Sequence, residues 1–109
     1  MSSELAYLLR LQSQATKELK TSAVDVFGDP AVFTSQLALG YSRKGLGAYN
    51  NSDAASGEIV WGSSDLTAAN GIPIPKGAMV DIPCSTEVPV YFCNTVSGEI
   101  GNLRIVEIA

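Results

Sequence analysis

From Ala48 to Ala109 the chain is a succession of short apolar runs cut by Gly, Pro, Asn and Ser. Glu58-Ile59-Val60-Trp61, Ala78-Met79-Val80-Asp81-Ile82, Val88-Pro89-Val90-Tyr91-Phe92-Cys93 and Leu103-Arg104-Ile105-Val106-Glu107-Ile108 are each of strand length. All four are rich in β-branched or aromatic residues, which fit a pleated, half-buried surface. Alternation puts Ile59 with Trp61, Val80 with Ile82 opposite Asp81, and Val88 with Val90 and Phe92, so one face of each run builds a core. The last run is apolar on both parities, Leu103 and Ile105 on one and Val106 and Ile108 on the other, which predicts a strand covered on both sides. Pro75-Lys76-Gly77 predicts a type I turn with Pro second and Gly fourth, preceded by an extended Ile72-Pro73-Ile74. Val80–Cys84 and Val88–Cys93 read as a hairpin closed by Ser85-Thr86-Glu87, a register in which Cys84 and Cys93 are too far apart to bridge.

The period changes towards the N-terminus. Leu5, Leu8, Leu9, Leu11, Ala15 and Leu19 fall on one side of a helix predicted over Ser3–Lys20, with Ser2 or Ser3 as N-cap and Glu4 in the first turn. A single helix of that length is marginal in water and needs a surface to dock on. Ala23–Phe27 and Val32–Leu39 are extended segments separated by the turn signal Gly28-Asp29-Pro30, and Gly40–Gly47 reads as a glycine-rich hinge or loop. The expected organisation is therefore an N-terminal helix and extended arm over 1–44 and a mainly β module over 45–109, a small antiparallel β-sandwich or jelly-roll-like fold.

Composition narrows the function. The 109 residues are 46% hydrophobic and 17% charged, which is not the signature of disorder and leaves apolar surface to meet another chain. The net charge of −4 is split unevenly, +1 over 1–44 and −5 over 45–109. Such an acidic β module is a poor nucleic-acid binder, because phosphate contact needs a basic face. No run is long and apolar enough to span a bilayer, and Met1-Ser2-Ser3-Glu4 lacks the basic start of a secretion signal, so the expected compartment is the cytoplasm and the two cysteines are expected as thiols.

Histidine is absent, so Ser-His-Asp, Cys-His and His-based metal chemistry are excluded. Gly40–Gly47 lacks the Gly-Lys-Ser/Thr of a phosphate loop, and Asn50 stands where a dinucleotide fingerprint needs its third glycine. Asn50-Asn51-Ser52-Asp53 lacks the alternating acids of a Ca²⁺ loop and reads as a turn. No catalytic residue, cofactor or metal ligand is expected. Trp61, Tyr49 and Tyr91 are candidates for a sugar-stacking platform or, more simply, for core and interface anchors.

Ala48-Tyr49-Asn50-Asn51-Ser52, Ser56-Gly57-Glu58-Ile59-Val60-Trp61-Gly62, Ser64-Asp65-Leu66-Thr67, Asn70-Gly71-Ile72-Pro73-Ile74-Pro75-Lys76-Gly77 and the terminal Leu103–Ala109 strand follow a recognisable order of turns and strands. The pattern resembles the small accessory structural proteins of tailed bacteriophages. It covers somewhat more than half of the chain and does not account for residues 1–44. The resemblance implies a non-enzymatic virion protein, best matched by a capsid decoration (cement) protein. Such a protein would sit on the capsid surface, be assembled in the host cytoplasm, bind the major capsid protein and itself as a homotrimer, and touch neither nucleic acid nor membrane. A head–tail, baseplate or fibre-anchoring accessory protein and a carbohydrate-binding module are the alternatives. Leu5, Leu8, Leu9, Val24, Phe27, Phe33, Arg43 and Lys44 are the expected partner-interface residues.

Overall fold

The structure, a computed structural model, describes residues 18–38, 40–53, 58–96 and 98–109. Among these residues there are eight strands and no helix: β1 (Leu19–Val26), β2 (Ala31–Val32), β3 (Gly45–Asn50), β4 (Ile59–Gly62), β5 (Ile72–Ile74), β6 (Met79–Ile82), β7 (Tyr91–Asn94) and β8 (Gly101–Ile108). They form two four-stranded antiparallel sheets, ordered β1-β8-β3-β6 and β2-β7-β4-β5. Of the sequential pairs only β4 and β5 share a sheet, and every other connection crosses between the two.

Alternation explains why the sheets face each other. Val26, Leu46, Ala48, Ile82, Leu103 and Ile105 of the first sheet share one buried cluster with Ile59, Ile74 and Phe92 of the second. Leu46, Ile59, Ile74, Ile82 and Leu103 are wholly excluded from solvent, each contributing about 1.5–3 kcal/mol of burial. Phe33 and Phe92 meet edge to face, centroids 6.4 Å apart. The opposite parity of β4 and β7 packs Val60 and Cys93 against Leu66 outside the second sheet. Gly71 makes this possible, because a Cβ there would lie 2.5 Å from Val60 Cβ and 2.6 Å from Leu66 Cδ1.

Several expectations change. Residues 19–32 are not a separate arm: β1 pairs with β8 over its whole length, from Leu19↔Ile108 to Val26↔Gly101, and β2 pairs with β7. The boundary between 44 and 45 therefore does not separate two units. Leu19 and Lys20, the expected end of the helix, are extended, because β8 is apolar on both parities and Leu19 packs against its outer pair, Val106 and Ile108. The remainder of the predicted helix, including Leu5, Leu8 and Leu9, lies outside the described residues.

The Val80–Cys93 hairpin does not form. β6 pairs with β3 and β7 with β4 and β2, so Pro83–Pro89 is a crossing between sheets, and both cysteines are free. Gly45-Leu46-Gly47 is not a hinge but part of an interior strand. The glycines lie on its outer parity, and the three side chains the core needs, Leu46, Ala48 and Asn50, lie on the other. The Pro75 turn is shifted by one residue: Ala78 N donates to Pro75 O at 2.9 Å, making Gly77, at φ +78°, the third residue. That is a type II geometry, in which the third position needs positive φ and so selects glycine.

Candidate interaction surfaces and a buried ion pair

Glu107 lies on the same parity of β8 as Leu103 and Ile105, so alternation drives its carboxylate inward, where it is 0% exposed. A buried carboxylate needs a counter-charge and donors. Arg43, two residues before β3 and 3% exposed, supplies the charge, its Nη1 donating to Oε2 at 3.2 Å. Ser35 Oγ donates to Oε2 and the Gln36 backbone N–H to Oε1, both at 2.7 Å. The rest of the guanidinium fork binds Cys84 O through Nε (2.9 Å) and Val88 O through Nη2 (3.3 Å), while Arg43 N donates to Thr86 Oγ1 (2.8 Å). Beside it Ser42 Oγ donates to Glu87 Oε2 at 3.1 Å. Hydrogen bonds from the Ser85 hydroxyl, its own backbone N–H and the Ser42 hydroxyl hold the Glu87 carboxyl below the usual carboxylate range. The knot ties the segment after β2 and the crossing before β7 to the end of β8. Each nitrogen of the guanidinium is engaged, so its chemistry is structural rather than acid–base.

This placement redistributes the expected interface residues. Arg43 is inside the knot, Phe33 is 7% exposed in the core, and Val24 is half-buried against that core. They face the interior, because extended chain at a sandwich edge directs alternate residues inward. Lys44 is exposed, its N–H donating to Ile108 O at 2.7 Å. Phe27 is 53% exposed. Leu5, Leu8 and Leu9 are outside the described residues.

Phe27 has company that sequence reasoning passed over. The β1–β8 ladder ends at Val26↔Gly101, so Phe27 and Ile100 are the next residues beyond the last pair, and Ile100 is 55% exposed. Val32, on the edge strand β2 and 48% exposed, lines the same small notch as Phe27. Asn94, 2% exposed, pins this corner: its N–H donates to Phe27 O (2.8 Å), its Nδ2 to Glu99 O (3.2 Å), and its Oδ1 accepts Val96 N–H (2.9 Å). Gly98 turns the chain there at φ +81°.

The three candidate stacking aromatics are not brought together. Tyr49 lies on the outer parity of β3, Trp61 packs inward against the core, and Tyr91 sits outside the second sheet beside Leu66 and Cys93. The outer face of the first sheet carries an open groove of 510 Å³ lined by Thr21, Ala23, Gly47, Tyr49, Met79 and Arg104 among others, a set with no nucleophile–base pair. Asn50 is buried, its Nδ2 donating to Ile74 O (2.7 Å) and its Oδ1 accepting Ser52 N–H (3.0 Å), which makes the Asn50–Asp53 segment a side-chain-stabilised turn. No group of three Cys, Asp or Glu side chains among the described residues is placed to hold a metal ion. Burial pushes the Cys93 thiol pKa up, with a smaller contribution from Asp29. Its Sγ donates to Gly28 O at 3.1 Å.

Compared with known proteins, the chain matches no family model and no curated sequence.

Proposed function

We propose that this chain is a jelly-roll capsid decoration protein, a non-enzymatic virion component that seats on an outer shell as a homotrimer and clamps neighbouring capsomers. The observation that carries this reading is the strand order. Sheets ordered β1-β8-β3-β6 and β2-β7-β4-β5 are what two interleaved Greek keys produce, the arrangement used by viral capsid proteins and lectins. The tailed-phage turn pattern favours the first of these, and the separation of Tyr49 and Tyr91 on the outer faces of different sheets, with Trp61 packed inward, weighs against a lectin-like platform.

The mechanism in this reading is additive. A trimer presents three copies of one patch, so that once one copy is seated the others bind at high effective concentration and each contact can be weak. The knot around Arg43 and Glu107 holds the crossings rigid and lowers the ordering cost of docking. The N-terminal segment bearing Leu5, Leu8 and Leu9 contributes contacts to the neighbouring subunit or the shell.

The test is cosedimentation of the purified full chain with emptied capsid shells, together with sedimentation equilibrium of the free protein at micromolar concentration. Saturable binding in multiples of three, by a protein that is trimeric alone, is the expected result. A monomer that ignores the shells refutes the reading.

A further inference from the structure

The exposed corner of Phe27, Val32 and Ile100 is an apolar anchor built for a partner. Two large side chains more than half exposed cost solubility, and here the backbone that carries them is tied down by hydrogen bonds. One buried residue, Asn94, fastens both segments: its backbone N–H donates to Phe27 O, and its side-chain amide holds the turn leading to Ile100 with two hydrogen bonds, to Glu99 O and from Val96 N–H. Fixed, adjacent, exposed apolar side chains are the signature of a preorganised contact, since docking then costs little conformational entropy.

The charge around them identifies the partner. Asp25, Asp29 and Glu99 lie within two residues of Phe27 or Ile100, and no lysine or arginine lies within three residues of Phe27, Val32 or Ile100 along the chain. The nearest base across the ladder, Arg104, is opposite Ala23 and donates instead to Asn102 Oδ1 at 3.1 Å. We infer that the Phe27/Val32/Ile100 corner is the docking face for a protein surface with an apolar recess rimmed by Lys and Arg. This rests on the decoration reading, in which that surface belongs to the shell. A second copy meeting the corner through the same patch is disfavoured, because it would set Asp25, Asp29 and Glu99 against their own images, and like charges across an interface repel.

Two full-length variants test it, Phe27→Ser with Ile100→Ser and Asp29→Asn with Glu99→Gln, each compared with wild type for cosedimentation with emptied shells at low and high salt. Urea midpoints verify that both are folded. The apolar pair is expected to lose tenfold or more in affinity, about what removal of a central anchor costs. The charge pair is expected to bind more weakly at low salt and to flatten the salt dependence. If wild type binds and both variants match it at each salt concentration, the corner is not the docking face, while the decoration reading stands. If wild type itself ignores the shells, both fall. Loss of self-association in the apolar variant, with shell binding unchanged, assigns the corner to a second copy and overturns the basic-rimmed partner.

Discussion

Removing Arg43 strands a carboxylate that the fold cannot hydrate. The two side chains are 2% and 1% exposed, and after Arg43→Ala the Glu107 carboxylate keeps its donors, Ser35 Oγ and Gln36 N–H, but no counter-charge. Breaking a buried pair in this way costs about 3–5 kcal/mol. The carbonyls of Cys84 and Val88 lose their guanidinium partner too, but Val88 is 48% exposed and Cys84 half-buried, so water takes over part of that role and the charge dominates. Against a total stability of about 5–15 kcal/mol this is a large fraction. With a urea slope of about 1–3 kcal/mol/M the midpoint falls by about 2 M. Glu107→Gln leaves the mirror-image defect, an unpaired guanidinium, and falls in the same range. The double variant Arg43→Met with Glu107→Leu removes both charges, so its loss is smaller than the sum of the single losses by about 2 kcal/mol or more. Lys44→Ala, one residue away and exposed, changes stability by no more than about 0.5 kcal/mol. The assay is equilibrium urea unfolding followed by Trp61 fluorescence. Single variants that each cost less than about 1 kcal/mol, or losses that add within error, would refute the argument that this pair organises the end of the sandwich.

Phe33→Ala opens a cavity beside Phe92 and costs about 3–5 kcal/mol in the urea midpoint, because Phe33 belongs to the core rather than to a partner surface; a loss below about 1 kcal/mol would return it to the interface. Cys93 is buried and Cys84 half-buried, so a thiol reagent labels Cys84 first in the native state and both equally in urea. Equal native rates would show that Cys93 is accessible. The raised Cys93 pKa means that the native state holds the thiol proton more tightly than the unfolded chain. Its contribution to stability is thus fully present below the ordinary thiol pKa and is lost as pH rises through the raised native value. Urea midpoints taken upward from pH 8 should fall more steeply for wild type than for Cys93→Ala, and parallel curves would contradict the shift.

The strands were legible where one parity was apolar and the other polar, as in β6, whose Val80 and Ile82 point inward and Asp81 outward. Pairing was not, because local pattern says which face is buried but not across which gap. Pro83–Pro89 looks like a hairpin loop by length, yet β6 and β7 lie in opposite sheets, since each face of the core needs one of them. β3 escaped notice for a similar reason. Its glycines resemble a hinge until the partner strands are known, whereupon Leu46, Ala48 and Asn50 supply what the core requires of an interior strand. Glu107 did carry a local signal. Leu103 and Ile105 fix the inward parity of the last strand, and two residues later that parity delivers a carboxylate, which can remain only if a cation and donors converge on it. Of the seven basic residues in the chain, none is marked by sequence alone as that cation; β3 runs beside β8 and pairs Leu46 with Glu107, which brings the segment ahead of β3 to the carboxylate's end of the sheet, and of its two bases Arg43 is the buried one while Lys44 is exposed. The exposed corner inverts this logic. Phe27 is an expected interface residue and Ile100, far from it in the chain, is not, and only the end of the β1–β8 ladder at Val26↔Gly101 places both just beyond the last pair, each more than half exposed. An exposed apolar corner of this kind is created by where pairing stops, which no periodicity records.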